Sequence, residues 1–197
     1  MEHLSDKIKE SVLERITGFL KENVSESRFS HILGVKEEIT RMGEIYLPSE
    51  IFELQIAALL HDITKEYSVK KQLQLCEKYG IMLEESDKKA PQVIHSRTGA
   101  YVAYEAFPDI VTHKIAGAIY KHTLASENMS LFDKLLFVAD FTECGRTNEF
   151  CVKVRDRFWQ GMKKCADQKS KLRLLTWCRV VQYPYIFLVQ LYPKDLS

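Results

Sequence analysis

The chain has no excess of charge, no long apolar run, no paired-cysteine motif and no glycine- or serine-rich linker. Each absence removes a class of function. Lys and Arg number 28 against 27 Asp and Glu, a formal net charge of +1, so no strong field points to nucleic acid or an anionic membrane. The two signs are interspersed, as on solvated helix faces. The longest apolar runs, such as Tyr185 to Val189, are far too short to span a bilayer. The opening residues Met-Glu-His-Leu-Ser-Asp-Lys carry no apolar h-region. No secretory signal is therefore expected, and a cytoplasmic location is. Cys76, Cys144, Cys151, Cys165 and Cys178 are odd in number and show no CxxC spacing. They read as reduced thiols, not as a disulfide or zinc framework. No Ser-His-Asp or Cys-His series offers a protein nucleophile.

What is present is an apolar content of 46% over 197 residues, enough for one core. We expect a domain over 1–165 and a C-terminal segment, 166–197, of open structure. Helical periodicity recurs almost throughout. It predicts helices near 5–22, 26–46, 49–62, 68–79, 91–107, 109–122, 129–142 and 149–165. Ser49 is the expected N-cap of the third, and Gly80 the expected stop of the fourth. The stretch 81–90 is polar and loop-like. Residues 179–192 are aromatic and β-branched, more strand than helix, with Pro184 favouring an edge or a break. The fold class is all-α. Phe132, Leu135, Leu136, Phe137 and Val138 read as core packing. Lys163, Lys164, Asp167, Lys169 and Lys171 read as a solvated face, since no aromatic interleaving accompanies them.

The pair His61-Asp62 closes the apolar run Ile56-Ala57-Ala58-Leu59-Leu60. Ionisable side chains at the end of a buried helix must be paired or must ligate a metal. Partners are available in His31, His95, His122 and Asp140. His31 shares a helical face with Val35, Ile39 and Met42, and His61 with Leu54, Ala57 and Ala58. His95 shares one with Thr98, Gly99 and Val102, and His122 with Ile115, Ala118 and Ile119. Asp140 follows Leu136 by four residues and Phe137 by three. Each stands where an apolar residue is expected. A single one reads as a hydrogen-bonded core residue. Unpartnered, six such groups would cost about 1–3 kcal/mol each, a large fraction of a domain's stability. A shared metal centre removes that cost.

Imidazole and carboxylate donors without thiolate suit Fe, Mn, Co, Ni or Zn. Six ligands are too many for one tetrahedral ion with an open position. Two ions bridged by Asp62 fit the count better. His31, His61, Asp62 and Asp140 would hold one; Asp62, His95 and His122 would hold the other. His3 and His113 read as surface residues.

The series His31, His61-Asp62, Asp140 resembles the HD-domain metal-dependent phosphohydrolases. The finer resemblance is to their bacterial branch of symmetrical diadenosine tetraphosphate hydrolases. It is carried by Arg28-Phe-Ser-His31, Ala57-Ala-Leu-Leu-His61-Asp62-Ile-Thr-Lys65, Ile94-His95-Ser-Arg-Thr-Gly99-Ala100, His122-Thr123 and Ala139-Asp140-Phe-Thr-Glu143-Cys-Gly-Arg146. It covers roughly residues 10–160. One departure is Leu124-Ala125, where the family usually has a glycine near 125.

The resemblance implies an HD-domain helical bundle around a dinuclear centre, with iron as the first expectation. It implies hydrolysis of diadenosine tetraphosphate into two ADP by an ion-activated water attacking a central phosphorus, with Asp62 and Lys65 as the catalytic residues. Its anionic substrate would need charge compensation, expected from Arg28, Lys65, Arg97, Thr123 and Arg146. Glu143 would orient a histidine or Arg146. A homodimer is also implied. Two other functions fit the same residues: a nucleotidase or phosphodiesterase acting on another phosphoester, and a non-catalytic nucleotide-binding domain.

Overall fold

A computed structural model of the chain describes residues 5–164 apart from 84–86, 88, 89, 125 and 127. Its principal helices are α1 (Asp6–Asn23), α2 (Glu26–Tyr46), α3 (Ile51–Leu60), α4 (Val69–Tyr79), α5 (Ile94–Ala106), α6 (His113–Lys121), α7 (Leu131–Thr142) and α8 (Glu149–Lys164). Single 3-10 turns, Pro48–Glu50 and Pro91–Val93, precede α3 and α5. No strand occurs among the described residues, in keeping with the all-α expectation. The proposed division at 165, the strand-like reading of 179–192, Cys165, Cys178, His3 and the side chains of Lys163 and Lys164 lie outside them.

α3 is the axis of the bundle. Leu54, Ile56, Ala57, Ala58, Leu59 and Leu60 are all fully buried, so the second half of this helix is apolar on every side. α1, α2, α6 and α7 pack around it. α5 packs on α6, and α4 on α5. Phe132, Leu135, Leu136, Phe137 and Val138 of α7 are buried as expected. Truncating one of the buried leucines of α3 to alanine is expected to cost about 2–5 kcal/mol.

Helix ends differ from the sequence-based bounds for identifiable reasons. Ser49 lies inside the 3-10 turn, and Glu50 occupies the N-cap of α3. α3 stops at Leu60, and residues 61–66 continue as turns. α6 begins at His113, after Thr112 caps it by accepting from the Ile115 amide at 3.3 Å. The apolar pattern runs on upstream because Ile110 and Val111 are buried in the preceding turn. α7 begins with a capping box between Ser130 and Asp133, which satisfies two free amides at once. Gly80 ends α4 at φ 64°, a left-handed position open to glycine at little cost.

Candidate metal centre

The centre forms where α3 ends. His61 is the C-cap of α3, and the turn after it delivers Asp62 and Lys65. His31 comes from α2, His95 from α5, Asp140 from α7 and His122 from the C-cap of α6. Five elements thus converge, and all six expected ligand residues meet.

Each imidazole is held from behind. The Nδ1–H of His61 donates to Ala58 O, that of His95 to Gln92 O and that of His122 to Ile119 O, each at 2.6 Å. These carbonyls fix the tautomer, so every Nε2 presents a lone pair to the centre. His31 Nδ1 lies 3.2 Å from Glu143 Oε1. Glu143 therefore orients a histidine; its distance to Arg146 Nε is 4.0 Å.

The six groups gather on two sides of Asp62, with His61 within reach of both. On one side, His31 Nε2 lies 3.1 Å from Asp140 Oδ1 and 3.6 Å from Asp62 Oδ2. His61 Nε2 lies 3.5 Å from Asp62 Oδ2 and 3.8 Å from Asp140 Oδ1. On the other, Asp62 Oδ1 lies 3.1 Å from His95 Nε2 and 3.5 Å from His122 Nε2. His95 Nε2 and His122 Nε2 are 3.2 Å apart. With both Nδ1 atoms donating, these are two lone pairs facing each other and a carboxylate. Thr123 Oγ1 is 3.2 Å from each nitrogen, and its one proton can serve only one.

The donors fit divalent cations. His31 Nε2 and His61 Nε2 are buried without a hydrogen-bond partner, a costly arrangement unless a cation is shared. His31, His61 and Asp140 offer ligand atoms within 4.8 Å of one another, as do His61, Asp62 and His122. HD domains bind divalent metals, and this cluster offers the N/O chemistry for them.

The electrostatics separate the histidines. Burial opposes charge on His31, but the neighbouring carboxylates of Asp140 and Glu143 outweigh it, raising the pKa to about 9. A cation bound there competes with that proton. His95 moves the other way, to about 4: burial exceeds the pull of Asp62, and Lys65 and His122 add to the effect. Its imidazole is neutral at physiological pH. Asp62 and Asp140 are held well below the ordinary carboxylate range: burial works against them, and surrounding histidines, with Arg146 for Asp140, prevail.

The basic residues take different places. Arg28 Nη1 lies 2.6 Å from Asp62 Oδ2. Lys65 Nζ sits 3.4 Å from His95 Nδ1 and 3.5 Å from its Nε2. Burial lowers the Lys65 pKa, outweighing Asp62 and Asp140. Arg146 Nη2 lies 2.7 Å from Asp140 Oδ1. Arg97 is paired with buried Asp87 at 2.6 Å and lies over the Tyr120 ring; a phosphate reaching it would have to displace that pair. His113 is exposed and stacked on Tyr104.

Several residues that shape the centre were given no role from the sequence. Thr64 Oγ1 donates to His95 O at 2.9 Å and lies 3.0 Å from Thr98 Oγ1. Buried Gln72 donates to Thr64 O at 2.6 Å and accepts from Thr98. This network fixes the turn of Asp62 and Lys65 against α5. Ser25 N and Oγ both bond Glu66, at 2.8 and 2.5 Å, tying the same turn to the start of α2.

A helical bundle with His-Asp at the end of its central helix defines an HD-type hydrolase. The HD domain family model matches residues 28–143, and the chain belongs to that family. Among its relatives, the symmetrical bis(5'-nucleosyl)-tetraphosphatase of Staphylococcus aureus is 27% identical over 73% of each chain. The symmetrical bis(5'-nucleosyl)-tetraphosphatase of Halalkalibacterium halodurans is 27% identical over 69% of this chain and 71% of its own. A crystal structure of a predicted HD superfamily hydrolase involved in NAD metabolism, from Clostridium acetobutylicum, superposes with a TM-score of 0.73. It is 27% identical and matches 90% of this chain and 87% of its own. No helix among the described residues is long and apolar enough to cross a membrane.

Proposed function

We propose that this HD-domain hydrolase splits diadenosine tetraphosphate symmetrically into two ADP. The observation that carries the reading is the two-sided cluster around Asp62, with Lys65 and Arg28 beside it. The names of its relatives point the same way.

In this reading His31, His61, Asp62 and Asp140 hold one divalent ion, and Asp62, His95 and His122 hold another, iron being the first candidate. Such a pair, when bound, supplies an activated water and polarises phosphoryl oxygens. The protein's own groups do the remaining work. The carbonyls behind His61, His95 and His122 hold each Nε2 in place. Lys65 and Arg28 offset charge that grows on the phosphoryl oxygens. Arg146 and Thr123 line the same centre and serve as further phosphate contacts. A centre that grips two phosphates on one side suits a nucleoside diphosphate half, and the second base then needs little recognition.

A second reading, hydrolysis of another nucleotide phosphoester, draws on the Clostridium hydrolase and its link to NAD metabolism. One experiment separates the two. Purified protein supplied with divalent metal is given dinucleoside polyphosphates, mononucleotides and cyclic nucleotides, and the products are chromatographed. ADP alone from diadenosine tetraphosphate is expected. Equimolar ATP and AMP would refute symmetrical cleavage, and turnover confined to other nucleotides would favour the second reading.

A further inference from the structure

α8 packs beside α7, and its Arg155 reaches back over the turn that ends α7. Arg155 Nη1 lies 2.7 Å from Glu143 O, 3.3 Å from Arg146 O and 3.5 Å from Thr142 O. Carbonyls at a helix C-terminus lack intrahelical partners and carry the negative end of the helix dipole. One guanidinium gathers three carbonyls of this region.

The gathered turn carries two side chains that meet ligand candidates. Glu143 places Oε1 3.2 Å from His31 Nδ1 and accepts from Gly145 N at Oε2, 2.6 Å away. Arg146 donates to Asp140 Oδ1 at 2.7 Å and to Asp140 O at 3.2 Å. Gly34, three residues after His31, makes room from the opposite side. A Cβ there would overlap Glu143 Oε2 and lie 3.3 Å from its Cδ. The far end of α8 is pinned separately: Trp159 Nε1 donates to buried Glu38 at 2.7 Å, and Arg41 stacks on its ring at 4.1 Å. Among the described residues, the hydrogen bonds of this turn reach His31 and Asp140, and none reaches His95 or His122.

We propose that Arg155 is a positioning residue for one ion position only, that of His31, His61, Asp62 and Asp140. It acts through the 143–146 turn, which aims the His31 ring and the Asp140 carboxylate from two different helices. The position at His95 and His122 is supported independently, by the Gln92 and Ile119 carbonyls. This inference rests on the two-ion reading above. Removing a group that orients a ligand typically weakens metal affinity by about 10–100-fold.

The test is a cobalt(II) titration of chelator-treated full-length protein, followed by visible absorption and by counting bound ions. The parent should take up two ions. Arg155→Ala should weaken one uptake step by about 10–100-fold and leave the other unchanged. Arg155→Lys keeps the charge but spans fewer carbonyls, so the same step should weaken by less. Gly34→Ala displaces Glu143 from the other side and should weaken the same step. If Arg155→Ala does not fold, Arg155→Lys carries the test. Two steps that weaken in parallel would mean general loosening and overturn the assignment. An unaltered two-step titration in Arg155→Ala would overturn it while sparing the two-ion reading. A parent that takes up one ion would overturn the two-ion reading, and the selective role with it.

Discussion

At the scale of single residues, the ligand candidates were legible because each breaks a rule of its own helix. His61 follows the buried run that ends α3, His122 follows α6 on the line of its buried face, and both rings are almost fully enclosed. A polar group there stands out against an apolar pattern. The supporting residues break no such rule. Gln72 reads as an ordinary polar position, yet it is buried and bonded to Thr64 and Thr98, which are distant in sequence. Gly34 and Arg155 are equally plain until Glu143 is placed between them. Lys65 can be tested directly. It touches His95 but, when protonated, offers no lone pair to a cation. Lys65→Ala is expected to keep its metal and to lose about 10²–10³ in turnover, equivalent to about 2.7–4 kcal/mol of transition-state stabilisation. Steady-state kinetics beside metal analysis checks this. Activity within about threefold of the parent, well under 1 kcal/mol, would make it a bystander.

Helix existence follows from periodicity, while helix ends depend on caps and turns. The expectation that α6 starts at 109 failed because buried apolar side chains in a turn mimic a helical face, as Ile110 and Val111 do. The third helix was read two residues too long, to 62, because buried His61 and Asp62 continue its enclosed run. The turn at 61–66 is held by Gln72 of α4. Gln72→Leu would remove one of two donors to the Thr64 carbonyl, the other being Tyr67 N at 3.1 Å, and an acceptor of Thr98, at about 0.5–1.5 kcal/mol per bond lost. Denaturant unfolding should register that loss, and a change within about 0.5 kcal/mol would show that the network is slack.

The junction of α2, α7 and α8 adds a pH dependence. Burial raises the Glu38 pKa against the pull of its Trp159 hydrogen bond, the Arg41 charge and Thr142. The folded state then holds this proton more tightly than the unfolded chain. The resulting stability is complete below the unfolded value, about 4.3, and is lost as pH rises through the raised folded value. The parent's unfolding free energy, taken relative to Glu38→Gln, should therefore fall as pH rises through that window. A difference that stays flat or increases would contradict the burial argument.

At the scale of the whole molecule, an all-α bundle uses one central helix, apolar and fully buried over Ile56 to Leu60, to bring five elements to a point. The all-α class was readable from periodicity, and the HD bundle only through the family resemblance. The two-sided arrangement was readable only as a ligand count, because Asp62 facing both ways is a property of the assembled turn. Two ions sharing Asp62 is the claim on which the hydrolytic reading depends. Metal analysis of protein isolated without chelator tests it most directly, with Asp62→Ala and His113→Ala measured alongside. The account predicts close to two transition-metal ions per chain, loss of both in Asp62→Ala and no change in His113→Ala. A stoichiometry that stays at or below one under metal-replete conditions would contradict it.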